Sequence, residues 1–151
     1  EARGAAVIAR QHAGGGRTVY IPWNIGAIFW EVFAGDHARL IANIVHWALG
    51  KRPDVELEGQ AVLDLSVREG EGSTVVLINN ITNPMMMKGP IRDVFPVGEH
   101  EVSVAIPAGK KFVKAALLVS NKSPRITQAN GRVNIRMTGL STLEVVHISW
   151  A

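Results

Sequence analysis

Along most of this chain, apolar residues return at every second position. Leu63, Leu65 and Val67 alternate with Asp64, Ser66 and Arg68; Val102, Val104 and Ile106 with Glu101, Ser103 and Ala105; Val133, Ile135 and Met137 with Arg132, Asn134 and Arg136. A period of two sends successive side chains to opposite faces of a pleated strand, so each segment is predicted to be a strand with one dry and one wet face. Val75 to Ile78 and Ala115 to Val119 are apolar on both faces, as in central strands covered on both sides. The last segment, Leu143 to Trp150, changes its apolar parity near Val145-Val146, which a bulge would explain. Turn signals fall between these runs at Gly70-Glu71-Gly72, Pro107-Ala108-Gly109, Asn121 to Pro124 and Asn130-Gly131. Short strands at this spacing, with no helix between them, predict a mainly β (α+β) chain built on an antiparallel, immunoglobulin-like β-sandwich.

Before Pro53 the pattern differs. Ala5 to His12 and Arg17 to Trp23 suit strands, and Gly14-Gly15-Gly16 supplies the reversal between them, so a β-hairpin is predicted. A loop over Asn24 to Gly26 follows, and one helix is predicted from Asp36 as N-cap to Gly50 as C-cap, with Leu40, Ile41, Ile44, Val45 and Ala48 on one face. The boundary is placed in Lys51 to Asp54, dividing the chain into 1–52 and 53–151. A hairpin and one helix make too small a core to stand alone, so the first part must lean on the sandwich, a partner chain or further sequence.

Composition narrows the function classes. Hydrophobic residues make up 47% and charged residues 19%, which is the balance of a chain that folds. Sixteen Lys and Arg against 13 Asp and Glu leave +3, scattered along the chain, which argues against nucleic acid as a partner. The absence of cysteine removes disulfides, thiolate metal sites and thiol nucleophiles, and is compatible with a cytoplasmic home. No apolar run approaches the roughly 20 residues of a membrane-spanning helix. The opening Glu1-Ala2-Arg3-Gly4 reads as the interior of a longer chain.

No catalytic constellation emerges. There is no Gly-x-Ser-x-Gly turn, and Gly14-Gly15-Gly16-Arg17 lacks both the Lys-Ser/Thr ending and the following helix of a phosphate loop. His37 and His46, nine residues apart on one predicted helix, point to opposite sides and cannot share a metal. Asp64, Glu69, Glu71, Glu99, Glu101 and Glu144 are read as solvated charge on wet faces or in turns. Asn80-Ile81-Thr82 fits a glycosylation sequon and is given no role. The sequence therefore offers no catalytic, cofactor-binding or metal-ligating residues. Two patches stand out: Tyr20, Trp23, Phe29, Trp30 and Phe33, read as packing or interface contacts with a saccharide platform as the alternative, and Asn83 to Pro90, whose three methionines suit packing under a crossing loop.

These patches also carry a resemblance. Gly16 to Gly26, followed by Asp36-His37-Ala38-Arg39-Leu40 and Trp47-Ala48-Leu49-Gly50, resembles the end of a β-galactosidase-type trimerisation domain, which is similar to glutamine amidotransferases in fold. Leu77 to Pro90 resembles the start of the small C-terminal β domain of the same glycoside hydrolases. The resemblance implies a parent with an N-terminal (β/α)8 barrel that holds the catalytic carboxylates; no position here matches them. The implied role is a non-catalytic structural and assembly module, with other domains or protomers of the parent as partners, in a homo-oligomer. A carbohydrate-binding module is the alternative, and a small hydrolase using Asp36, His37 and His46 a weaker one.

Overall fold

The computed structural model describes residues 7–82 and 93–151. Its contacts divide the chain into Glu1–Pro53 and Asp54–Ala151. The methionine-rich segment, 83–90, lies outside the described residues.

The first unit opens on an antiparallel hairpin of β1 (Ile8–Gln11) and β2 (Arg17–Tyr20), in register from Ile8 opposite Tyr20 to Gln11 opposite Arg17. Gly15 takes φ +84° in the turn, where its amide donates to the His12 carbonyl at 2.9 Å. Two helices follow rather than the one expected: α1 (Ile25–Val32) and α2 (Gly35–Leu49). The Asn24 side chain accepts from the Ala27 amide at 3.2 Å, so the residue read as part of a loop is the cap of α1. Helix α1 ends on Phe33, left-handed at φ 47°, whose amide donates to Phe29. The all-round apolar sequence of α1 hides the one-sided stripe by which an amphipathic helix is read. Asp36 is not the cap of α2; it sits in the first turn, after Ala34, which makes no side-chain cap bond. Gly50 closes α2 at φ 69°, as predicted.

The second unit is a sandwich of two four-stranded antiparallel sheets. One runs β4 (Leu63–Gly70), β5 (Ser73–Asn80), β10 (Leu143–Trp150), β7 (Phe112–Leu117); the other β3 (Val55–Glu58), β6 (Val97–Ala105), β9 (Arg132–Leu140), β8 (Arg125–Ala129). In the immunoglobulin order the first two strands are neighbours, whereas β3 and β4 lie in different sheets here. Val76, Ile78, Val146 and Ile148 from one layer meet Val102, Val104, Val133 and Ile135 from the other in a single buried cluster. Each is a side chain whose burial is worth about 1.5–3 kcal/mol.

Three expectations about this unit need correction. The segment around Ala115 to Val119 is an edge, not a central strand: among the described residues β7 pairs only with β10, and Leu118 and Val119 beyond it are half exposed. In β10 the inward parity runs unbroken through Glu144, Val146, Ile148 and Trp150, and the register shift falls at Ser149/Trp150. The apparent change of parity was a carboxylate standing at an inward position. The alternate residues of β9 and β6 are not uniformly wet either, since Arg132 and Ser103 are buried.

Candidate functional site

The five aromatic residues singled out by sequence belong to the first unit, and ring contacts join Phe29, Trp30 and Phe33. Phe33 stacks edge-on against Phe29 and tilted against Trp30, each pair at 5.4 Å between centroids. Tyr20, at the end of β2, is 62% exposed, and Trp23 is half-buried in the segment before α1. A second pair forms elsewhere: the Arg17 guanidinium lies 5.4 Å from the ring centre of Trp47 and donates to the Trp47 carbonyl at 2.8 Å, holding hairpin to helix. Asp36 pairs at 3.8 Å with Arg39 on the exposed side of α2. His46 is exposed near the other end of that helix. Among the described residues no three His, Asp or Glu side chains group as a metal would need.

In the sandwich, polar chemistry collects on the outward face of the β3-β6-β9-β8 sheet. Strand register sets Glu58 beside Glu101, Glu101 beside Arg136, and Arg136 beside Arg125. Arg136 donates from Nε and Nη2 to one Glu101 oxygen, at 3.2 and 3.0 Å. Next along the face, Ser103 donates to the Asn134 side chain at 2.7 Å and accepts from Arg132 Nε at 2.8 Å. Arg132 Nη2 also donates to the carbonyls of Ser103 at 2.9 Å and Asp54 at 3.3 Å, and lies 3.5 Å from the Glu56 carboxylate. Two depressions adjoin these groups. One, of about 210 Å³, is lined by Glu99, Lys122, Arg125, Arg136 and Thr138 over Leu117 and Met137; the other, of about 130 Å³, lies among Glu101, Arg125, Thr127 and Arg136. Glu99 and Glu101 stand two residues apart on one strand, side by side rather than facing each other across a cleft. Sequence alone pairs none of these groups, because the signal is cross-strand register.

Glu144, read from sequence as solvated, is buried. Its two oxygens accept from the amides of Val145 (2.9 Å), Val119 (3.0 Å) and Ser120 (3.2 Å), tying the exit of β7 to β10. Burial alone would raise the carboxyl, but the Ser120 hydroxyl and these three amides outweigh it and hold the group below its ordinary 4.5. The unfolded chain takes up this proton at the ordinary value and the folded chain only at lower pH. The stability it contributes is therefore complete above that value and lost as pH falls through the lower one. Glu144→Gln is expected to cost about 1–3 kcal/mol near neutrality. It should also flatten the acid limb of a urea-denaturation series taken against pH; an unchanged acid limb would show that this carboxylate is not the group responsible. Asn80 of the sequon is committed internally, its amide donating to the carbonyls of Phe95 at 2.8 Å and Ser141 at 2.6 Å.

No protein-family model matches the sequence, and no curated protein is similar to it in sequence. Among solved structures the chain is similar to alpha-L-fucosidase isoenzyme 2 from Paenibacillus thiaminolyticus, with a TM-score of 0.70 and 14% identity over 93% of this chain. The fold is one found within a glycoside hydrolase. At 14% identity the likeness is one of fold alone, and it takes in 21% of the fucosidase chain. The chain therefore spans about a fifth of the fucosidase it matches. The part shared with the fucosidase includes both the helical unit and the sandwich, since it leaves out only a small fraction of this chain. No helix among the described residues is long and apolar enough to cross a membrane.

Proposed function

We propose that this chain is a non-catalytic assembly and bracing module of a glycoside-hydrolase-like protein. In this reading the first unit is the closing part of a trimerisation-type domain and the second the small C-terminal β domain. One observation carries it. The 15-residue helix α2 has no buried residue, and Val45 (53%), Trp47 (36%), Leu49 (44%), Trp30 (53%) and Val32 (51%) all stand exposed in the same unit. Apolar surface of that kind seldom stays bare, and other domains or a second protomer of the parent would cover it. Likeness to a fifth of an α-L-fucosidase supports a parent of that class. Two measurements test the proposal. The purified chain should release no nitrophenol from nitrophenyl glycosides above the buffer rate, and turnover that survives removal of contaminating enzyme would overturn the non-catalytic role. Sedimentation velocity should show association that grows with concentration and is weakened by Trp30→Glu; a monomer at every concentration would count against the assembly role.

A carbohydrate-binding role is the second reading, favoured by the exposed faces of Tyr20 and Trp30. It requires heat on calorimetric titration with neutral galactans or fucosylated oligosaccharides that is lost in Trp30→Ala.

A further inference from the structure

The depression of about 210 Å³ on the sandwich is a different place from the aromatic unit, and its charges are arranged unevenly. Arg125 and Arg136 stand directly opposite each other on β8 and β9, and like charges in that position repel. Glu101 neutralises Arg136 through two hydrogen bonds from its guanidinium. Nothing does the same for Arg125: among the described residues neither its side chain nor the Lys122 ammonium, which lines the same depression, makes a hydrogen bond or ion pair with the chain. The depression thus joins two unmatched cations and the Glu99 carboxylate to a third cation already matched, and an added anion would relieve the opposition across β8 and β9. Its remaining lining is Glu99, Ser123 and Thr138, which are exposed hydrogen-bonding groups, above the buried side chains of Leu117 and Met137. A volume of about 210 Å³ suits a single ring rather than a long ligand.

We propose that this depression binds one acidic sugar unit, a uronate or a sulfated residue. Arg125 and Lys122 hold the anionic group, with the guanidinium of Arg125 offering two parallel N–H donors to paired oxygens. Glu99, Ser123 and Thr138 pair with ring hydroxyls. The inference does not rest on the assembly role and would hold for a monomer.

Isothermal titration of the whole chain with digalacturonate, galactose 6-sulfate, neutral galactobiose and sodium sulfate tests it. At least one of the two acidic sugars is expected to bind, with galactobiose and inorganic sulfate at least about tenfold weaker. Arg125→Ala, on an exposed edge strand, should weaken the acidic sugar by about tenfold or more, while Arg10→Ala on the hairpin leaves it unchanged. The sugar that responds tells carboxylate from sulfate. The proposal is overturned if neither acidic sugar binds, if galactobiose or sulfate alone binds as tightly, or if Arg125→Ala binds like the parent chain.

Discussion

Replacing Gly59 by alanine is expected to destabilise the sandwich by about 2–5 kcal/mol, combining backbone strain with overpacking. Gly59 has φ +152°, in the range that only glycine enters readily. A methyl group there would run into the imidazole of His100, with Nε2 at 2.7 Å and Cγ at 2.9 Å besides the closer Cδ2. His100 cannot step aside, because it is 2% exposed and its Nδ1 is held to the Gly98 carbonyl at 2.9 Å. The two residues should therefore be coupled: Gly59→Ala combined with His100→Ala is expected to lose less than the sum of the single losses. Urea denaturation of the two single variants and the double variant measures this. A Gly59→Ala chain within about 0.5 kcal/mol of the parent would mean that the close approach is relieved without cost.

Removing Arg132 should be as damaging for a different reason. Its buried guanidinium serves the Ser103 hydroxyl, the carbonyls of Ser103 and Asp54, and the Glu56 carboxylate, joining β9 and β6 to the start of β3. Arg132→Ala takes the donor from the buried Ser103 hydroxyl and a cationic partner from the part-buried Glu56 carboxylate, a loss of about 3–5 kcal/mol. Arg132→Lys keeps the charge but presents one compact ammonium where a planar fork met several acceptors at once, so it should recover only part of that. Arg136→Ala, on the exposed part of the same face, is expected to cost no more than about 1 kcal/mol. Equal losses for Arg132→Ala and Arg136→Ala in urea would contradict this account of the face.

What the sequence revealed and what it hid follow from the range of the physical signal. Strands with period-two patterns, such as β4, β6 and β9, were legible because burial on one face is written locally. The hairpin was legible from its glycines, and α2 from its stripe and the Gly50 cap. Helix α1 was hidden because Ile25, Ala27, Ile28, Phe29 and Trp30 leave no polar side by which to see a helical period. Glu144 and Arg132 were misjudged for a common reason: a charged side chain is presumed wet, and nothing local tells that amides of Val119 and Ser120, or the hydroxyl of Ser103, wait across the fold. The charged face was invisible for the same reason, since Arg125, Arg136 and Glu101 become neighbours only through strand register.

In the proposed reading the sandwich buries its own core while a partner covers the helical unit. Hydrogen–deuterium exchange on the whole chain tests it most directly, because amide protection follows the free energy of local opening. Amides in β5, β6, β9 and β10 should exchange slowly, near the rate of global unfolding, and those of α1 and α2 should exchange much faster. Protection of the α2 amides equal to that of β10 would contradict it.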